Sequence, residues 1–159
     1  MSKVFTTVVV VVTAAVMLAG AATAGPSAAK QRVAIRDSTA GFVLTPLTAG
    51  RVKADAGSAT FCCTTSSYVI TRDGQTIEIT NGPTVTLVGQ RGTLQVRNRM
   101  EWLDVSGGYQ LFTGTWTVVR GTGTYAGLAG GGRVAGIKFP NGDARWRREG
   151  LLGPKASSR

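Results

Sequence analysis

The chain has 159 residues, with 18 Lys and Arg against 8 Asp and Glu, no histidine, 22 glycines and two cysteines. The lack of histidine excludes Ser-His-Asp and Cys-His nucleophile machinery and, with a single pair of cysteines, leaves no zinc ligand set. A net charge of +10 suits attraction to anionic surfaces, but the basic residues are scattered, and the only tight group is Arg145, Arg147 and Arg148.

In chain order, Lys3 precedes an apolar run, Val4–Leu18, and then Ala22-Thr23-Ala24. This is the pattern of a secretory signal peptide, residues 1–24, cleaved before Gly25, so the mature protein is expected outside the cell. The run is short for a membrane span and lacks a basic stop-transfer cluster. No cysteine follows it for lipid attachment, and the mature chain carries no second candidate span. Residues 25–41 read as a loose N-terminal arm in which Arg32–Asp37 has the pattern of a short strand. Residues 42–150 are the expected β-barrel domain, and 151–159 a flexible polar tail.

Phe42–Leu47 is a strand pattern with Pro46 near its exit. Asp55-Ala56-Gly57 reads as a turn or bulge leading into Ala59–Thr64. Cys62 and Cys63 are adjacent. Neighbours in an extended strand point to opposite faces, which favours two separate thiols, one in the core and one near the surface. A vicinal disulfide, which needs a local turn, is the second option, and an intermolecular bridge the third.

Tyr68–Arg72 and Gln75–Ile79 flank Asp73-Gly74, a two-residue hairpin signal. Asn81-Gly82-Pro83 reads as another turn. Thr84–Val88 leads through Gly89-Gln90-Arg91-Gly92 into Thr93–Trp102, where Leu94, Val96, Asn98, Met100 and Trp102 share one face and Thr93, Gln95, Arg97, Arg99 and Glu101 the other. After a loop at Asp104–Gly108, Tyr109–Arg120 places Phe112, Gly114, Trp116 and Val118 together. Arg133–Phe139 and Ala144–Glu149 flank a last hairpin connection, Pro140–Asp143. No window carries a sustained helical period. About eight short strands with frequent turn signals predict an all-β fold, a single antiparallel β-barrel following the signal peptide.

Gly121-x-Gly123-x-x-Ala126 formally matches a dinucleotide fingerprint, but Gly130-Gly131-Gly132 opposes the helix that such a motif must open. No Gly-Lys pair exists for a P-loop. The stretch therefore reads as architecture, with Tyr125 and Leu128 pinning a glycine corner to the core, and no cofactor is expected.

Gly114-Thr115-Trp116, Gly121-Thr122-Gly123, Tyr125-Ala126-Gly127-Leu128 and Gly130-x-Gly132, with Gly92-Thr93-Leu94 before them and Arg148-Glu149-Gly150 after, resemble the signature of the allene oxide cyclase/dirigent-like barrels, in particular their small exported bacterial members. The resemblance covers about Thr84–Gly150. It implies an eight-stranded, calycin-like barrel with a ligand cavity. Enzymatic relatives use polar residues inside the barrel, but no such position aligns residue by residue, so no catalytic residue is carried over. Lipocalins also have a Gly-x-Trp element, but on their first strand, whereas here it falls late in the chain.

Glu101, Asp104, Glu149 and Tyr109 read as solvated groups, with Glu149 expected in a surface ion pair beside Arg145 and Arg147. Trp116 and Trp146 read as barrel plugs. Asn98, Met100, Phe112 and Trp116 are the candidate ligand-binding residues of the inner face, and no metal site is expected. The expected function is that of an exported, non-catalytic barrel that binds a small apolar ligand. The alternative is a cyclase or isomerase that works by confining a reactive ligand. Weak contact with anionic surfaces through the basic face ranks third, and no specific nucleic-acid partner is expected.

Overall fold

The structure, a computed structural model, describes residues 29–156. The signal-peptide reading at 1–24 lies outside the described residues, as does the end of the tail, 157–159. Nine strands follow in order: β1 Gln31–Ser38, β2 Gly41–Pro46, β3 Asp55–Cys62, β4 Ser66–Arg72, β5 Gln75–Gly89, β6 Gly92–Val105, β7 Tyr109–Gly121, β8 Leu128–Lys138 and β9 Ala144–Pro154. Every paired neighbour is antiparallel, and the sheet closes on itself where β3 pairs with β5. Eight strands thus form the ring, as the sequence predicts, and β4 continues beyond β3 along the same edge of β5.

Several boundaries differ from the sequence reading. Within the span read as a loose arm, the strand pattern at Arg32–Asp37 forms as read and is an integral part of the barrel: β1 lies between β2 and β9 with Val33 and Ile35 fully buried. The tail likewise begins inside β9, where Leu152 is fully buried. The end of β9 is short, with Gly153 and Pro154 in it, so its periodicity is faint; ladder partners on both sides make it strand. Asp55-Ala56-Gly57, read as a turn or bulge, opens β3 in regular register instead.

Asn81-Gly82-Pro83 is not a turn either. β5 runs straight through it as a bulge against β6. Pro83 has no N–H to give to a ladder, and a bulge is where a strand tolerates that. The extra residue also reverses which parity faces inward: Val85 and Leu87 point into the barrel, and beyond the bulge Thr80 does, beneath Trp102. The Asp73-Gly74 hairpin forms as read, with φ of 53° and 74° at the two central residues. The glycine stretch is part corner and part strand. A short 3-10 turn occupies Gly123–Tyr125, and Gly130–Gly132 lie within β8.

The two ends of the barrel are built differently. At one end the 47–54 loop folds inward: Gln31 donates from Nε2 to the Thr48 and Val52 carbonyls at 2.8 and 2.9 Å and accepts from the Val52 N–H at 2.7 Å. Beside it the Asp55 carboxylate accepts from the Tyr125 hydroxyl at 2.8 Å and from the backbone N–H groups of Ala56, Gln90 and Arg91 at 2.9, 3.0 and 3.2 Å. Burial pushes the Asp55 carboxyl up, but these hydrogen bonds outweigh it and hold the group below the ordinary carboxylate range. Burial and the same bond push the Tyr125 hydroxyl well above its usual value. This end is closed. The core fills the barrel above it, and Trp116, 1% exposed, spans the interior toward Gly150, where a Cβ would meet its Cζ2 at 2.8 Å.

Two outcomes are expected. Trp116→Ala lowers the free energy of unfolding by about 3–5 kcal/mol, measured by urea denaturation; an unchanged midpoint would remove Trp116 from the core. Because the folded state favours ionised Asp55, the stability it adds is fully present above roughly pH 4 and drains as pH falls through the folded pKa. Asp55→Asn should therefore be less stable than the parent at neutral pH and lose less on acidification. Parallel losses in the two proteins would show that Asp55 does not carry this dependence.

Candidate functional site: the open end of the barrel

The opposite end is where the strands bring their aromatic residues together. Phe61 comes from the end of β3, Trp102 from β6, Phe112 from β7 and Trp146 from β9. Trp146 is the hub: its ring centroid lies 4.0 Å from Phe112, 5.2 Å from Phe61 in a stacked arrangement and 5.8 Å from Trp102 edge-on. Trp102 lies 4.6 Å from Phe112 and donates from Nε1 to the Thr80 hydroxyl at 2.9 Å. Gly136 sits in register between Trp146 and Phe112, and a side chain there would collide with the Phe112 ring. The cluster borders a cavity of about 420 Å³, within the size range of small-molecule sites. Phe61, Met100, Trp102 and Trp146 line it, with the Cys62-Cys63 link at its rim.

That link corrects the thiol reading. Cys62 and Cys63 form a vicinal disulfide, with Cα atoms 3.7 Å apart, and both are exposed. The opposite-faces argument holds only for extended backbone. Cys63 has φ 60°, which turns the chain between β3 and β4 and brings both sulfurs to one side.

Beneath Trp146 the barrel holds charge. The Arg148 guanidinium lies 5.3 Å from the Trp146 ring and forms an ion pair with Asp37, both side chains being fully buried. Burial raises the Asp37 carboxyl despite the opposing pull of Arg148, and it lowers the Arg148 guanidinium. Asp37 Oδ2, Arg148 Nε and Nη2, Trp146 Nε1 and both amide atoms of Asn98 have no hydrogen-bond partner within the described residues. Chemically the interior pairs an aromatic box with a layer of donors and acceptors below it.

The four sequence candidates all face inward but do not form one site. Met100 lines the cavity and Phe112 backs it. Asn98 pairs across the ladder with Trp116, and both are buried deeper, with the Trp116 Nε1 donating to the Glu149 carbonyl at 3.3 Å. Sequence reasoning missed Phe61, Asp37 and the inward turn of Arg148. The signal was available for the last: alternation in β9 puts Trp146 and Arg148 on one face and Arg145 and Arg147 on the other, so the apparent three-arginine group is split by the wall. Glu149 pairs with Arg147 on the surface, as read. Among the described residues no helix is long and apolar enough to cross a membrane, and no group of three or more metal-ligating side chains forms.

Asp37→Leu or Arg148→Met alone should each cost about 3–5 kcal/mol, because each leaves a buried charge uncompensated. The double variant Asp37→Leu/Arg148→Met should recover most of that loss in the same denaturation assay. Additive losses would show that the two side chains are not energetically coupled. No family model, no curated protein and no solved structure matches this chain.

Proposed function

We propose that the protein is an exported, non-catalytic barrel that binds a small, mostly apolar ligand at its open end. The observation that carries this reading is the cavity bordered by Phe61, Met100, Trp102 and Trp146. Aromatic walls offer large apolar contact area with little side-chain entropy to lose. The closed far end gives the barrel one ligand-accepting mouth, and Thr80 and the Trp102 indole give its rim a polar fixing point. The resemblance of Gly114–Gly132 and its flanks to allene oxide cyclase/dirigent-like barrels supports the same reading, since a ligand cavity is what that fold implies.

The buried Asp37, Arg148 and Asn98 favour a second reading, a cyclase or isomerase. Polar groups inside a barrel can steer a confined ligand. They rank second because Trp146 lies between Arg148 and the aromatic cavity, so a ligand reaches the ion pair only if that indole moves aside.

The test is fluorescence titration with N-phenyl-1-naphthylamine, a neutral apolar probe. Binding should enhance and blue-shift its emission, Trp102→Ala should weaken it roughly tenfold or more, and Leu151→Ala on the outer wall should leave it unchanged. Absence of saturable binding, or equal binding by Trp102→Ala, would overturn the reading. Native mass spectrometry of protein from its source supplies the second arm: a retained small molecule supports binding, and its conversion to an isomer on incubation selects the enzyme.

A further inference from the structure

The strands that turn Asp37, Trp146 and Arg148 inward turn a different set outward. On the outer wall one cross-strand row runs Ala56 (β3), Val43 (β2), Arg36 (β1), Arg147 (β9) and Ala135 (β8), each directly opposite the next in the ladder. Arg36 and Arg147 therefore stand side by side on adjacent strands, and Arg145 follows two residues from Arg147 on the same face. Like charges directly opposite in an antiparallel pair destabilise the sheet. Arg147 is offset by Glu149, whose Oε1 accepts from its Nε at 2.8 Å. Among the described residues no carboxylate pairs with Arg36 or Arg145. Asp37 neighbours Arg36 in sequence but is buried inside, and Asp143 is engaged with Thr39 and Asn141.

The row also has a shape. Its alanines leave a shallow trough of about 610 Å³ across the wall, bordered by all three arginines and by Val43, which is 53% exposed. Three cations with one counter-charge, next to exposed apolar surface, are complementary to a molecule with an anionic head and an apolar body. Arginine forks match the oxygens of a carboxylate, sulfate or phosphate in two-point contacts.

We infer that this outer trough is a second binding site, distinct from the mouth, for an anionic amphiphile: Arg36, Arg145 and Arg147 hold the head, and Val43, Ala56 and Ala135 carry the apolar tail. The strong positive charge of the whole chain raises the local concentration of such anions. The inference does not depend on the apolar ligand of the mouth, because Arg36, Arg145 and Arg147 border only the trough and the two linings share Trp146 alone.

The test compares monomeric decyl phosphate with decanol by calorimetry on the parent protein, on Arg36→Gln/Arg147→Gln and on Arg97→Gln/Arg99→Gln, which removes two cations of β6 outside the trough. Decyl phosphate should bind the parent more tightly than decanol does. The Arg36/Arg147 variant should lose roughly tenfold or more, and the Arg97/Arg99 variant little. Raising ionic strength from about 0.01 to 0.15 M, which shortens screening from roughly 30 to 8 Å, should weaken binding. Without ligand, Arg36→Gln should not lower Tm, since it removes a repulsion. Equal affinity for decanol, equal loss in both double variants, or undiminished affinity in Arg36→Gln/Arg147→Gln would overturn the proposal. Displacement of N-phenyl-1-naphthylamine by decyl phosphate in that last variant would assign its binding to the mouth instead. Phosphatidylglycerol vesicles, run beside phosphatidylcholine ones, separate the sources. Retention that depends on Arg36 and Arg147 makes the head a lipid's, and binding of the monomer alone makes it a free amphiphile's; either supports the site.

Discussion

The closure of the barrel rests on Asp55. The seam between β2 and β3 is held by only three residue pairs, so β3 is held by its six pairs with β5 and, at its first residue, by Asp55. Asp55, the first residue of β3, receives hydrogen bonds from its own strand, from the β5–β6 turn and from Tyr125 in the turn after β7. A buried carboxylate is costly without such donors, and with them it ties three segments distant in sequence to one point. The glycine corner acquires its purpose here: it carries the Tyr125 hydroxyl back to β3. With this end fixed and filled, the aromatic cluster around Trp146 gathers at the opposite end.

The interior charge follows a different logic. Asp37 and Arg148 are both removed from water, and a buried pair of this kind contributes little net stability relative to apolar residues of similar size. Its placement under Trp146 nevertheless means that the base of the aromatic cluster is polar and incompletely hydrogen-bonded. Leaving such groups without partners is costly in a barrel interior that is otherwise mostly apolar.

β1 and β9 are the economical part of the design. Strand alternation gives one pair of strands two chemistries, with Asp37, Trp146 and Arg148 inside and Arg36, Arg145 and Arg147 outside. A one-residue slip between them would exchange the two faces, so the apolar residues that fix the register, Val33 and Ile35, also fix both surfaces.

Strand content, the inner faces of β6 and β7, the hairpin at Asp73-Gly74 and the architectural role of the glycine stretch were legible in the sequence. Each of these is a local matter of period-two patterning or turn chemistry, readable from a few consecutive residues. Met100 and Phe112 were legible near the mouth for the same reason. Tertiary structure alone decided the rest. The strand pattern at Arg32–Asp37 was legible as β1, whereas the end of β9 became strand because β1 and β8 pair with it. Pro83 became a bulge because β6 runs on past it. Cys62 and Cys63 joined because Cys63 leaves extended geometry between β3 and β4. Asp37 met Arg148, 111 residues away, only when β1 was laid against β9. Pairing between distant strands is set by the closure of the ring, and no local pattern encodes it.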